Sequence, residues 1–473
     1  MRRRSGGLLV VALAVALSGC QSSPGGPPAP SGPAATAPAV ATGVSWSGLT
    51  PCPKQASLQC GTLRVPLDRS APGGTSVDLS VVVGGRVGAD RTMLFLTGGP
   101  GQGGAAAAER VISRFGQLGA QQQIVLLDQR GTGAGALSCP ALQEQMRSSD
   151  LTVPTEDAVT SCAATLGADR AHYATSDTVA DLEDLRAALG ASTWSLDGVS
   201  YGSYVAQRYA AAHPDRVDRL VLDSVVPVTG FDPLLTDVYP EVARVLRAVC
   251  AVSTCGGDPA EAIQATVTRW PDLAPATLDV VTGMSVADPS FERLFPPLFQ
   301  AARGQDQPLR DLITGWRSAD TTAASSLSQG LHASTLCLDL DFPWGGADTD
   351  QAGREAAVST KVGAVAADRL YPFVASAAIG NGEIVTCRVW PKTPDSWSGT
   401  DAQTTVAALA ALGPRTLILA GDRDLSTPLV WAKATAAAMP GSRLVVVPTA
   451  GHSVQSRGGP VGGAEATAFL LAH

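Results

Sequence analysis

The sequence has little charge and no excess of positive charge. Lys and Arg total 34 against 42 Asp and Glu among 473 residues, so the formal net charge is −8, and charged residues make up 16%. Binding to a phosphate backbone needs a basic surface, so this composition argues against nucleic acid as a partner. The one basic run, Arg2-Arg3-Arg4, lies at the start of the chain, where it is typical of an export signal.

Motifs that bind cofactors are also missing. No Cys-x-x-Cys pair or Cys/His spacing of a metal site occurs, and neither does a nucleotide- or flavin-binding motif. We therefore expect no cofactor and no metal. Histidine is scarce, with five in the chain, so few side chains compete for the role of general base. The sequence contains no internal repeat and carries no signal of oligomeric state.

The apolar stretch near the N-terminus, from Leu8 to Leu17, is shorter than the roughly 20 residues of a membrane-spanning helix. It runs into Leu17-Ser18-Gly19-Cys20, which resembles a bacterial lipobox. The resemblance predicts a signal peptide over residues 1–20 and a lipid on Cys20 that holds the protein on the outer face of the cell membrane. The alternative is an ordinary secretory signal with an incidental cysteine. Residues 21–45, rich in Pro, Gly, Ala and Ser, are predicted to form a disordered tether.

Cysteine usage agrees with an exported protein. Without Cys20, eight of the nine cysteines remain, an even number suited to disulfides in an oxidising compartment. The alternative is a set of unpaired buried thiols. Closeness in sequence favours the pairs Cys52–Cys60 and Cys250–Cys255, and after them Cys139–Cys162 and Cys337–Cys387.

The body of the chain alternates strand and helix signals. Short apolar runs followed by glycine-rich turns are typical of buried parallel strands, and helical periodicity separates them. This alternation predicts an α/β fold with a doubly wound, mostly parallel sheet. The predicted strands are 92–96, 124–127, 194–196, 219–226, 416–420 and 443–447, and the clearest helices are 177–189 and 202–212.

The alternation stops after Pro227 and resumes near residue 405. The stretch between holds five of the eight tryptophans and several helical segments without clear strands. We interpret residues 229–404 as a large, mainly helical cap inserted before the last strands. The catalytic domain then comprises residues 46–228 and 405–473.

The segment Gly198-Val199-Ser200-Tyr201-Gly202 matches the nucleophile elbow Gly-x-Ser-x-Gly. A predicted strand leads into it and a predicted helix leads out, which is the context that the motif requires. The glycines let strand and helix approach closely, and the turn presents Ser200 next to a helix N-terminus that favours negative charge. We therefore predict Ser200 as the nucleophile.

A serine hydroxyl needs a histidine base oriented by a carboxylate, and in this fold the chain order is Ser, acid, His. That order excludes His172 and His213. His332 falls inside the cap and His473 is the last residue. His452 remains, in a loop of small residues after the predicted strand 443–447.

The acid is expected in the loop after strand 416–420, where two aspartates compete. Asp422 directly follows the strand end, and Asp424 precedes a Leu-Ser-Thr-Pro turn that would present it from the loop. We select Asp424 and expect Asp422 to cap or brace the loop.

Two backbone N–H groups are needed to stabilise the oxyanion. One belongs to the residue after the nucleophile, Tyr201. The other is expected from the segment Gly98-Gly99-Pro100-Gly101, where glycine allows close approach to the substrate. We select Gly99 over Gly98.

With these residues in place, the chain resembles the proline iminopeptidase and tripeptidyl aminopeptidase family of secreted bacterial α/β-hydrolases. Thr97 departs from the iminopeptidases, which have histidine before the two glycines. The resemblance covers most of the mature chain and rests on Cys52-Pro53, Cys60 to Leu63, Val65 to Asp68, Gly98 to Gly101, Asp128 to Gly133, the Ser200 elbow, Asp424 to Pro428 and Gly451-His452.

The resemblance implies release of short peptides from a free N-terminus, with a cap over the site and acidic groups that hold the substrate ammonium. Asp339, Asp341 and Glu383 are the candidates for that contact, because a buried ammonium needs an anionic partner. A carboxylesterase or lipase, acting on small esters with the same triad, is the alternative enzyme. A surface lipoprotein that binds a ligand without catalysis is the alternative from another class.

Overall fold

The structure is a computed structural model, and it describes residues 41–253, 255–393 and 402–472. The predicted signal peptide, lipidated Cys20 and most of the predicted tether lie outside the described residues. The strands are β1 (Ser45–Trp46), β2 (Thr50–Cys52), β3 (Gln55–Pro66), β4 (Ser76–Gly85), β5 (Thr92–Leu96), β6 (Gln123–Leu127), β7 (Trp194–Val199), β8 (Val217–Asp223), β9 (Thr416–Gly421) and β10 (Arg443–Val447).

The strands form one sheet in the order β1-β3-β4-β6-β5-β7-β8-β9-β10, and β2 pairs with β3. The neighbours from β6 to β10 run parallel, and the pairs formed by β1 to β4, including β4 with β6, run antiparallel. The expected α/β architecture is confirmed. The antiparallel end of the sheet is an addition that the sequence reading did not include.

The helices of the scaffold lie on either side of the predicted insertion. Those before it are α1 (Ala108–Arg114), α2 (Gly116–Gly119), α3 (Pro140–Met146), α4 (Glu156–Leu166), α5 (Thr175–Ala188) and α6 (Tyr201–Ala212). Those after it are α18 (Leu429–Ala438), α19 (Val454–Arg457) and α20 (Pro460–Leu471).

The segment between β8 and β9 is helical wherever the structure describes its regular elements. All of these helices lie in the chain between β8 and the last two strands, β9 and β10, as expected for an insertion. They are α7 (Val238–Cys250), α8 (Pro259–Arg269), α9 (Leu273–Ala287), α10 (Phe295–Ala302), α11 (Gln307–Ala319), α12 (Gln329–Asp339), α13 (Arg354–Gly363), α14 (Ala367–Leu370), α15 (Ala375–Ile379), α16 (Gly382–Val389) and α17 (Ala402–Ala410). We keep the name cap for this insertion, and its predicted limits of 229–404 stay a prediction.

The predicted central strands agree with the structure because each is a short apolar run with both faces covered. Every residue of β5 and β6 is buried, as is all of β9. The strand predicted at 219–226 ends earlier, at Asp223. Ser224 takes a φ of 54°, which lies outside the extended region and ends the strand there.

Four disulfides connect the eight described cysteines in the pairs that the sequence predicted. Two of them lie within the scaffold and two within the cap. Cys337–Cys387 joins α12 to α16. Across the described ranges, no helix is both long and apolar enough to span a bilayer, and no group of His, Cys, Asp and Glu is arranged to hold a metal ion.

Candidate active site

Ser200 stands on a sharp turn between β7 and α6. Its φ of 58° and ψ of −129° are unusual for a residue with a side chain, as expected for a nucleophile elbow. The turn needs glycine on both sides: a Cβ on Gly198 would lie 2.3 Å from the Gly202 carbonyl oxygen, and one on Gly202 would lie 2.3 Å from that of Leu96. The motif therefore has a steric origin in this structure.

His452 and Asp424 form a buried pair. The Nδ1 of His452 lies 2.9 Å from Oδ2 of Asp424. The other oxygen, Oδ1, accepts the backbone N–H groups of Ser426 and Thr427, each at 2.9 Å. Because the carboxylate accepts from Nδ1, the histidine keeps Nε2 free for a proton from the nucleophile.

Each member of this pair favours the charged form of the other. Burial alone would raise the pKa of Asp424, but the charge and hydrogen bond of His452 bring it below its ordinary value. Burial alone would lower the pKa of His452, but the charge and hydrogen bond of Asp424 raise it above its ordinary value. An imidazolium that forms during reaction is therefore stabilised.

Asp422, the competing acid, makes no contact of this kind. Its Oδ1 is buried and has no hydrogen-bond partner among the described residues. The backbone of Asp422 contributes instead, with the carbonyl oxygen accepting from Arg244 at 2.8 Å. The geometry thus favours Asp424 as the partner of His452.

A shared anchor brings the loops of Ser200 and His452 together. The N–H of Ser200 donates to the carbonyl oxygen of Asp223 at 2.9 Å, and the N–H of Ser453 donates to Oγ of Ser224 at 2.8 Å. Asp223 also accepts the N–H of Val454 at 2.9 Å. The end of β8 therefore fixes the nucleophile and the base at one edge of the sheet, a role that no sequence pattern indicated.

The two expected oxyanion donors lie beside Ser200. Gly99 and Tyr201 both line the cavity that contains the nucleophile. The N–H of Gly98 donates to Oε1 of Gln102 at 3.2 Å, whereas the hydrogen bonds of the described residues include none from the N–H of Gly99 or Tyr201. This arrangement favours Gly99 over Gly98.

The cavity above Ser200 has a volume of about 330 Å³, which is within the range of small-molecule sites. Aromatic and aliphatic side chains of the cap and scaffold form much of its wall, among them Phe231, Trp316 and Trp431. Glu383 of the cap and Asp150, which precedes α4, also line it. Asp279 and Asp320 line it as well, so the site combines an apolar wall with four carboxyl groups.

Glu383 is buried, with 6% of its surface exposed, and its Oε2 has no hydrogen-bond partner among the described residues. Burial raises the pKa of Glu383 well above its ordinary value, and the charges of Asp150 and Asp232 raise it further. A carboxyl group in this situation ionises when a cation arrives beside it, because an opposite charge favours the ionised form. Glu383 is thus suited to bind an ammonium group.

The other two predicted amine-binding residues lie elsewhere, which corrects that prediction. Oδ2 of Asp339 accepts hydrogen bonds from Tyr201 OH at 2.8 Å and Thr175 Oγ1 at 2.5 Å, and burial raises the pKa of Asp339 to about 6. Asp341 is exposed. Neither lines the cavity, since one carboxylate is occupied by the hydroxyl of Tyr201 and the other faces solvent.

Sequence reasoning missed Ser285, a cap residue near the end of α9. It contacts both the loop that carries Asp424 and the loop that carries His452. Its Oγ accepts the N–H of Leu425 at 3.1 Å, and its carbonyl oxygen accepts the N–H of His452 at 3.1 Å. A Cβ on Gly451 would lie 1.9 Å from that carbonyl oxygen. A serine within a mostly buried, apolar helix carries no local signal of such a contact.

The scaffold and the site agree with a known protein family. The profile of the α/β-hydrolase fold matches residues 91–458 of this chain. The chain belongs to the α/β-hydrolase fold family. The match spans the oxyanion segment, the elbow, the cap and the loops of Asp424 and His452.

Three curated relatives resemble parts of the chain. A tripeptidyl aminopeptidase of Streptomyces coelicolor is 32% identical over 216 residues, 41% of this chain and 40% of that protein. Serine protease Hip1 of Mycobacterium tuberculosis is 27% identical over 241 residues, 43% of this chain and 44% of that protein. A probable proline iminopeptidase of Streptomyces coelicolor is 29% identical over 267 residues, 52% of this chain and 72% of that protein. The chain thus covers less than half the length of the first two relatives.

Proposed function

We propose that this protein is a serine peptidase that releases short peptides, most specifically tripeptides, from free N-termini. In this mechanism, Ser200 attacks the scissile carbonyl while His452 accepts its proton and Asp424 holds the imidazolium. The N–H groups of Gly99 and Tyr201 stabilise the oxyanion. His452 then protonates the leaving amine, and water hydrolyses the acyl-enzyme on Ser200.

The observation that carries the proposal is the buried carboxyl group of Glu383 in the same cavity as Ser200. A partnerless buried acid is costly for folding, and a substrate ammonium would remove that cost by forming a charge-assisted hydrogen bond. Asp150 adds another carboxyl group to the lining of the same cavity. Binding of the amine there would fix the distance from the N-terminus to the bond that is cut.

The names of the relatives support the same class of reaction. One is a tripeptidyl aminopeptidase and another a probable proline iminopeptidase, and both names describe cleavage near a free N-terminus. The tripeptide length rests on the first of these alone. Ester hydrolysis remains the second candidate, because the aromatic wall of the cavity would accept an apolar acyl chain as well.

Glu383→Gln is expected to abolish the preference for a free amine. Wild type should cleave a tripeptidyl p-nitroanilide faster than its N-acetylated twin. The variant should lose about 10- to 100-fold in kcat/KM on the free peptide, because an amide replaces a charged acceptor. Activity on a short p-nitrophenyl ester should stay near that of wild type.

Asp341→Asn is the matched control for this substitution, since Asp341 is an exposed acid of the same cap and should leave all three rates unchanged. Wild-type cleavage of the ester alone, with neither anilide turned over, would replace the aminopeptidase by an esterase. If Glu383→Gln lowered kcat/KM equally on the free and the acetylated peptide, Glu383 would not be the group that recognises the amine.

We further propose that the protein is exported and held on the membrane by a lipid on Cys20. The support is the lipobox-like segment that ends at Cys20 and the four disulfides, which suit an oxidising compartment. Cys20→Ser should move the protein from the detergent phase to the aqueous phase in a Triton X-114 partition of expressing cells. Unchanged partition of the variant would contradict the anchor.

A further inference from the structure

The segment that carries Gly99 is held in place by the cap. We call residues 98–102 the oxyanion loop. The N–H of Ser328, which caps α12, donates to the carbonyl oxygen of Gly101 at 3.0 Å, and a Cβ on Gly101 would lie 2.7 Å from the Ser328 carbonyl oxygen. An isolated β-bridge joins Gln102 to Leu327. The start of α12 therefore packs directly on the loop.

His332 adds a side-chain contact one turn further along α12. Its Nδ1 lies 3.1 Å from the carbonyl oxygen of Pro100, and its side chain is 4% exposed. A carbonyl oxygen only accepts, so Nδ1 carries the hydrogen and donates it. The loop is rich in glycine and has few side chains of its own to restrain it. The histidine supplies that restraint from the cap.

The opposite ring nitrogen faces the amine site. Nε2 of His332 lies 3.6 Å from Oδ1 of Asp150, and both residues line the cavity together with Glu383. Nε2 has no hydrogen-bond partner among the described residues. The imidazole thus stands between the carboxylates of the cavity and the loop that carries Gly99.

The same helix also reaches the second oxyanion donor. Asp339, the last residue of α12, accepts the hydrogen bond from Tyr201 OH. The Cys337–Cys387 disulfide fastens α12 to α16, the helix of Glu383. One cap helix therefore contacts both Tyr201 and the loop that carries Gly99.

From these contacts we propose that His332 is a positioning residue of the oxyanion hole, which holds the N–H of Gly99 in place by donating from Nδ1 to the Pro100 carbonyl oxygen. The inference rests on the proposed serine-hydrolase function. It does not need the substrate to be a peptide, because every acyl transfer at Ser200 passes through the same oxyanion.

The test compares three variants of His332 on the p-nitrophenyl ester and on the tripeptidyl anilide. His332→Ala is expected to lower kcat about 10- to 100-fold on each substrate that wild type turns over, with KM within about twofold, because a displaced donor acts on the transition state. His332→Asn, whose amide nitrogen lies close to the position of Nδ1, should recover most of kcat. His332→Gln, whose amide lies close to Nε2, should not.

Two controls separate positioning from folding. The melting temperature reports on stability, and His172→Ala, a scaffold histidine outside the site, should keep wild-type kcat. Wild-type kcat in His332→Ala would overturn the proposal, and so would equal kcat for His332→Asn and His332→Gln, even if the alanine variant does not fold. An ester-only wild type would refute the aminopeptidase function but still report on His332.

Discussion

Ser200→Ala is expected to lower kcat by about 10⁴- to 10⁶-fold on any substrate that wild type turns over, because no other group can form the acyl-enzyme. The protein should keep its fold, since the hydrogen bonds of this residue to Asp223 and Ser203 all use its backbone. The loss should appear in steady-state kinetics and as absence of labelling by a fluorophosphonate probe.

Ser57→Ala is a suitable control, because Ser57 is exposed on β3 at the antiparallel end of the sheet. It should label and turn over like wild type. If Ser200→Ala kept activity within tenfold of wild type, the nucleophile would have to be a different residue. If wild type itself failed to label, the case for a surface lipoprotein without catalysis would be reopened.

Asp424→Asn is expected to lower kcat about 10⁴-fold while the fold survives. The oxygen of the Asn amide can still accept N–H groups of the loop. The neutral amide no longer holds His452 in the tautomer that donates from Nδ1, and it no longer stabilises the positive charge that forms on the imidazole. Asp422→Asn is the matched control two residues away, and it should stay within a few-fold of wild type. Reversed outcomes for the two aspartates would exchange their roles.

The pH profile gives this substitution a second readout. His452 acts as a base only when neutral, and Asp424 raises its pKa above the ordinary value, so wild-type kcat/KM should fall as pH falls through that raised pKa. In Asp424→Asn, which lacks the carboxylate, the residual kcat/KM should begin to fall only at a lower pH than in wild type. An acid limb that does not move in Asp424→Asn would show that the carboxylate does not set the pKa of the base.

The catalytic elements were readable from the sequence because each depends on local chemistry. The elbow around Ser200 needs two small glycines for steric reasons, and the central parallel strands β5, β6 and β9 are short apolar runs buried on both faces. The antiparallel strands β3 and β4 were harder to find, since β3 alternates buried and exposed residues only in part. Such strands carry a weaker pattern than a fully buried run.

The sequence could not tell which cap acid lines the proposed amine site. Glu383, Asp339 and Asp341 are indistinguishable in sequence, as all three are acids of the cap. Their environments differ in the structure. Glu383 is buried with an unpartnered Oε2, Asp339 accepts hydrogen bonds from Thr175 and Tyr201, and Asp341 faces solvent. These differences arise from packing between residues far apart in the chain.

By itself, the sequence predicted the α/β scaffold, the chain order of the proposed triad (Ser200, Asp424, His452) and the two disulfides between cysteines close in sequence, because strand burial, turn sterics and short cysteine separations act over a few residues. Only the tertiary structure decided which of the three predicted acids lines the cavity, and that Ser285 and His332 contact the loops of the site from the cap. Those roles depend on contacts between segments more than a hundred residues apart, and no local pattern encodes such a contact.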